Sequence, residues 1–277
     1  MPRPIIIITT RMFTEPIMQR ALLAALFLGP LCAFMGVFVT ARRMAFFSDT
    51  ISHAALTGVA LGFWMGLADP TLPMVAVSLL VALSIMWLRE NTELFSDTIM
   101  ALLLSSSVAV GVIILTLLKS PRSELHGYLW GDILAIGPQD VGLAAVLFLV
   151  VGAALFWQLT SITLLTAHED MAQVCGVPVR KLNYLFVIVL TFAVALTIRL
   201  LGIILVTALI VIPPAAARCV SRNLRQQIVL SILFGVLASV GGTLLSYQLD
   251  VPCGPTIVLC CVAFFILSLV AGRFRRL

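Results

Sequence analysis

Charge is what this chain has least of. Of its 277 residues 10% are Asp, Glu, Lys or Arg, 61% are hydrophobic, and the mean hydropathy is +1.16. A water-soluble domain carries roughly 25% charged residues, so there is too little charge here to cover a surface facing water. Alternating polar and apolar segments of about ten residues, the mark of a membrane β-barrel, are missing as well. Histidine is scarce, and no H-E-x-x-H exists: His168-Glu169 is followed at the required place by Ala172. No G-x-x-x-x-G-K-[ST] exists either, since Lys119-Ser120 follows Leu118 and not a glycine. The chain therefore has no nucleotide site of its own and reads as a non-enzyme, so any ATP must be hydrolysed by another subunit. The six cysteines form no C-x-x-C and no Cys/His ligand spacing, which argues against a disulfide or a cysteine-rich metal site. Most lie in or beside apolar runs, where a thiol behaves as a small hydrophobe. The net charge of +5 is scattered rather than clustered, which removes the nucleic-acid reading. The N-terminal stretch MPRPIIIITTRMF has no A-x-A-like cleavage site and reads as retained.

What the chain does have is length of oil. Apolar runs lie at about 17–39, 44–68, 71–88, 98–118, 140–159, 183–198, 200–215, 228–248 and 255–272. A helix needs about 20 such residues to cross a bilayer. The expected fold is all-α: one polytopic transmembrane bundle over 1–277, with a short N-terminal segment at 1–15 and a polar loop at 166–181. The sixth and seventh runs look short and broken, so eight crossings plus a re-entrant piece fit as well as nine. Connections after odd-numbered runs carry Arg42, Arg43, Arg89, Arg180, Lys181, Arg218, Arg222 and Arg225, and the tail adds Arg273, Arg275 and Arg276. Those after even-numbered runs carry only Lys119, Arg122 and Arg199. The positive-inside rule puts the rich set, and the C-terminus, in the cytoplasm. Nine crossings then leave the N-terminus outside, against the weak contrary pull of Arg3, Arg11 and Arg20.

Within these runs the string FSDTI occurs twice, at Phe47–Ile51 and at Phe95–Ile99. Four residues after the first Asp stands His53; four after the second stands Ala101. Asp97 closely follows the polar RENTE, where Ser96 or Asp97 is expected to cap the next helix. Asp49 and His53 lie deeper. His53 is ten residues past Arg43, so it sits ~15 Å in, half the hydrocarbon thickness. Spacing i, i+4 places carboxylate and imidazole on one helical face. Together they offer oxygen and nitrogen donors suited to zinc, manganese or ferrous iron. Two ligands do not complete a site; a second copy of the chain across a two-fold axis would supply two more. Read from the residues alone, a helix cap at Asp49 with a hydrogen-bonded His53 stays open beside this, as does a proton relay in a secondary transporter. An intramembrane hydrolase lacks the second embedded acid it would need.

Three further stretches carry chemistry. The outward loop from Leu118 to Asp140 concentrates Glu124, His126, Asp132 and Asp140, and Glu124 with His126 could receive a cation or dock a donor protein. Its alternative is a structural crossover turning at Gly127 and Gly131 with Asp132 as a cap, and Tyr128 and Trp130 suit a membrane interface. On the cytoplasmic side Thr166–Lys181 reads as a short amphipathic helix with Met171, Val174 and Cys175 on one face, ended by Gly176 and Pro178. That apolar face suits a soluble partner. Pro213-Pro214 closes the seventh run, either as a break lining a cavity or as a plain helix stop.

SDTISHAALTGVALG, YLWGDILAIGPQD, HEDMAQVCGVPVRK, GIILVTALIVIPPAAAR and LLSYQLDVPCGPTIVL occur in that order. With these five motifs, from about Met18 to Val270, the chain resembles the permease subunits of bacterial metal-uptake ABC transporters, most closely the zinc-uptake permease. The resemblance implies an inner-membrane homodimer working with two cytoplasmic ATPase subunits and a periplasmic metal-binding protein, with no permanently bound cofactor. The cargo it implies is zinc, with manganese and iron as alternatives. Asp49 and His53 match the residues associated with the metal path. Glu169, Asp170, Met171, Val174, Gly176 and Val177 match the coupling helix that docks on the ATPase. Where the family often has Asp-Pro-Glu, this chain has His168-Glu169-Asp170.

Overall fold

The structure is a computed structural model, and it describes residues 15–117, 133, 136–167, 169–176 and 178–274. Among these residues all regular secondary structure is helical. The long helices are α1 (Pro16–Ala41), α2 (Ala45–Trp64), α3 (Thr71–Asn91), α4 (Ser96–Leu117) and α5 (Pro138–Trp157). Two short ones follow, α6 (Leu159–Ala167) and α7 (Glu169–Val174). Four long ones close the chain: α8 (Val179–Leu201), α9 (Ile203–Val220), α10 (Leu224–Leu249) and α11 (Cys253–Phe274). Eight of the described helices are long and apolar enough to cross a membrane. The long helix outside that set is α2, which spends its length on Ser48, Asp49, Thr50, Ser52, His53 and Thr57.

Side-chain bonds fix which helix ends meet. At one end Arg42, just past α1, donates to Thr166 of α6 and to Asn183 of α8, and Glu90 of α3 pairs with Arg180 of α8. At the other, Arg199 of α8 reaches Asp69 and Thr71 at the start of α3, and Tyr247 of α10 meets Glu15 before α1. The helices therefore alternate in direction, and the arginine-rich connections gather at one end of the bundle.

The sixth run departs from its expected form. It is neither short nor broken: α8 extends over 23 residues from Val179. Its break comes afterwards, at Gly202, whose φ of 81° and ψ of 164° only glycine adopts readily. That single residue turns the chain from α8 into α9. Pro213 and Pro214 neither break nor stop α9, which runs on to Val220. A proline inside a membrane helix is tolerated where neighbours re-satisfy the freed backbone, and here Pro214 packs beside Gly36 of α1.

Small residues set the closest approach. Where α1 crosses α10, Gly29 faces Gly235, and the hydroxyls of Ser231 and Ser239 donate to the Ala33 and Ala25 carbonyls at 2.9 Å each. In lipid no hydrophobic force pulls helices together, so close backbone packing and such bonds do it instead.

Candidate functional site

Helix α2 is polar on several faces, and its neighbours deal with most of that polarity. Thr50 donates to Phe46 O at 2.8 Å and to Met100 O of α4 at 3.3 Å. About two turns further, Thr57 donates to its own helix at His53 O and to Ser107 O of α4 at 2.7 Å. Ser48 and Ser52 bond back to Ala45 O and Ser48 O. Each of these buried hydroxyls is thereby satisfied, as burial away from water demands. The partners of Thr50 and Thr57 are both 50 residues on. Hence α2 and α4 run parallel, with their FSDTI segments side by side at the arginine-rich end.

Asp49 and His53 are different. Neither side chain makes a hydrogen bond to any described residue; each has only the other, with Asp49 Oδ1 and His53 Nε2 at 3.9 Å. The i, i+4 spacing does put them on one face, and their side chains stay 41% and 31% exposed within the single chain. Asp49 does not cap α2: the helix starts at Ala45, and its N-cap Met44 makes no side-chain cap bond. No described residue of a neighbouring helix hydrogen-bonds the His53 imidazole. Donors about 2.1 Å from a tetrahedral ion lie about 3.4 Å from each other, so from 3.9 Å the two side chains need to close by about 0.5 Å to share one cation. Among the described residues no group of three or more His, Cys, Asp or Glu could hold a metal ion. Asp49 and His53 thus offer two donors from one chain, fewer than a closed metal site needs.

Asp97 is where the sequence reading changes. Neither Ser96 nor Asp97 accepts a hydrogen bond from the first-turn N–H groups of α4 among the described residues. Instead Asp97 shares with Asp49 a cavity of about 640 Å³ between α2 and α4, walled also by Thr50, Thr98, Ala101 and Ser105. His53 is not among its walls. Ala101, the second copy's counterpart of His53, opens this space with its small side chain. The clue in the sequence was the repeat itself, but a repeat says nothing about two helices lying parallel.

At the same end, α7 leaves Met171 55% and Val174 84% exposed, with Cys175 exposed beside them. Gly176 ends that segment at φ 78°, and Pro178 starts the next helix as the N-cap of α8 rather than ending the last one. The apolar face expected on Thr166–Lys181 is present and unburied. Glu169 and Asp170 belong to α7. Glu124, His126, Tyr128, Trp130, Asp132, His168 and Val177 lie outside the described residues.

Over residues 14–272 the chain matches the ABC 3 transport family. It is 35% identical over 251 residues to the high-affinity zinc uptake system membrane protein ZnuB of Haemophilus influenzae, covering 90% of this chain and 95% of that one. It is 31% identical over 253 residues to the manganese transport system membrane protein MntC of Halalkalibacterium halodurans, covering 91% and 86%. Among solved structures it superposes on PsaBC from Streptococcus pneumoniae in complex with Fab with a TM-score of 0.83 at 30% identity, over 96% of this chain and 95% of that one. With nearly its whole length matched in both sequence and fold, this chain belongs to the ABC 3 transport family.

Proposed function

We propose that the chain is the membrane permease subunit of an ABC importer that carries divalent transition-metal ions, zinc first, across the bacterial inner membrane. The observation that carries this is the Asp49–His53 pair: an acid and an imidazole 3.9 Å apart on one face of α2, partly exposed in the single chain, with no hydrogen-bond partner for either side chain among the described residues. Leaving two such groups without partners at the depth of a membrane is costly, and a passing cation would offset it. Two protomers facing each other would supply four donors, two oxygen and two nitrogen, a set that binds zinc and also accepts manganese or iron. Manganese is the second reading, supported by the relative named for manganese transport.

The rest of the cycle follows from the same parts. A periplasmic binding protein would deliver the ion. Cytoplasmic ATPases would dock on the exposed Met171 and Val174 of α7 and hydrolyse the ATP, and Glu169, Asp170, Gly176 and Val177 are proposed to belong to the same contact. The C-terminus would then lie in the cytoplasm with the other arginine-rich ends. The ion site has to bind weakly enough to release, which fits a pair of ligands per chain better than a closed cage.

Zinc uptake into liposomes holding the permease with its ATPase, loaded by its binding protein, tests this. Asp49→Asn and His53→Ala are each expected to abolish uptake while leaving assembly with the ATPase intact. Wild-type uptake in the double variant would remove the pair from the ion path. Competition of zinc uptake by manganese decides between the two cargoes.

A further inference from the structure

At the arginine-rich end lies a second cavity, of about 240 Å³, that has nothing to do with the ion pair. Its walls bring together Arg42, Arg43, Arg89, Thr166 and Asn183, from α1, the α1–α2 turn, α3, α6 and α8. No carboxylate stands among its described walls. The nearest one in sequence, Glu90, is taken up elsewhere: Arg180 grips both its oxygens at 3.2 and 2.8 Å, and the Tyr184 hydroxyl adds a third bond.

The cavity is built rather than incidental. Arg42 is fixed by donating Nε to Thr166 at 3.2 Å and Nη1 to Asn183 Oδ1 at 3.0 Å, with its guanidinium 4.4 Å above the Phe186 ring. Asn183 spends its carbonyl oxygen on that bond, while its amide nitrogen makes none among the described residues. Arg43 and Arg89 have no side-chain partner among the described residues. Arg43 also sits at φ 56°, a helix-ending conformation that glycine normally fills. Arginine near a helix C-terminus is favourable singly. Arg43 from the α1–α2 turn and Arg89 from α3 bring two guanidiniums without a described carboxylate partner to one cavity, and an anion between them would offset their charge.

We propose that this cavity binds a phosphate group, held by Arg43, Arg89 and the Asn183 amide beside the fixed Arg42, and that its occupant in the membrane is the headgroup of an anionic phospholipid. Guanidinium forks match phosphate oxygens two at a time. The depth suits a headgroup: α1 has 26 residues, so it is about 39 Å long and overreaches the ~30 Å hydrocarbon core. At the same end Trp87 and Trp157 stand 60% and 92% exposed, as aromatics do at headgroup level. Basic pockets between membrane helices on one leaflet are suited to such lipids. The proposal does not depend on which ion the chain carries.

The test uses the delipidated full chain in detergent, read by native mass spectrometry and by melting temperature. It is titrated separately with phosphatidylglycerol, phosphatidylcholine and inorganic phosphate. Phosphatidylglycerol should stay bound and raise the melting temperature where phosphatidylcholine does neither. Its apparent affinity should fall about fivefold in R43Q or R89Q and about 25-fold in the double variant. Melting in phosphatidylcholine alone should be the same for wild type and R89Q, which shows that the exposed substitution leaves the fold intact. Equal binding of the two lipids, or undiminished phosphatidylglycerol binding in the double variant, overturns the proposal. Arginine-dependent stabilisation by inorganic phosphate without any by phosphatidylglycerol overturns the lipid assignment. If neither anion acts and the double variant instead loses its ATPase, the cavity is a protein contact and the proposal fails.

Discussion

Alanine at Gly235 puts the packing of α1 on α10 to a direct test. A Cβ there would lie 2.7 Å from the Ala33 Cβ and 2.8 Å from the Gly29 carbonyl oxygen. Carbon atoms rest at about 3.5–4.0 Å, so the two helices must part by roughly 1 Å at this crossing. Overpacking of this kind costs about 1–3 kcal/mol. The same movement stretches the two serine bonds that flank the crossing, each 2.9 Å, and bonds between membrane helices contribute about 0.6 kcal/mol apiece. Against these stands the helix propensity gained by replacing glycine, about 0.8–1 kcal/mol. The net expectation is a loss of about 1–3 kcal/mol. Gly241, on the same helix, has nothing within 4 Å of a Cβ, so Gly241→Ala should keep the propensity gain and lose nothing. Thermal melting of both variants in one detergent reads the contrast: Gly235→Ala below wild type, Gly241→Ala at or above it. If the two shift in the same direction, the close crossing of α1 and α10 is not what holds them together.

Three further outcomes are expected. Asp97→Asn should lower metal uptake without abolishing it, because Asp97 shares Asp49's cavity but not the His53 face; unchanged uptake would place that carboxylate off the path. Gly202→Ala should cost about 1–3 kcal/mol in melting experiments, since φ 81° with ψ 164° is open only to glycine, and an unaltered melting temperature would refute the tight α8–α9 turn. The Thr71 hydroxyl, then the Thr71 N–H and Arg199, hold the Asp69 carboxyl below its ordinary 3.8. A carboxylate whose folded pKa is lowered stabilises the fold above the ordinary value and loses that contribution as pH falls through the lower folded value. Asp69→Asn should therefore melt below wild type at neutral pH, with the gap closing only at pH values under about 4; a gap that persists in stronger acid would show the effect is not ionic.

How much of this was legible beforehand depends on how far each feature reaches along the chain. The Asp49–His53 pairing was legible because four residues is one helical turn, and a turn is local geometry. The exposed Met171 and Val174 were legible for the same reason. The role of Asp97 was not. Next to RENTE it had every local mark of a cap, and only the parallel packing of α2 and α4, through Thr50 and Thr57, turns it toward Asp49. Pro213-Pro214 misled in the opposite way: proline disfavours a helix locally, but packing of Pro214 against Gly36 of α1 accommodates it within α9.

The sequence by itself determined the solvent, the helical class and the pair of donors on one turn, because too little charge and an i, i+4 spacing admit few alternatives. Tertiary structure alone decided which distant residues meet: Asp97 with Asp49 in one cavity, and Arg42, Arg43 and Arg89 in another. Such meetings depend on how closely helices far apart in the chain approach. That is set by small residues such as Gly29 and Gly235 where they cross, and hydropathy along a single strand of sequence carries no record of which crossings occur.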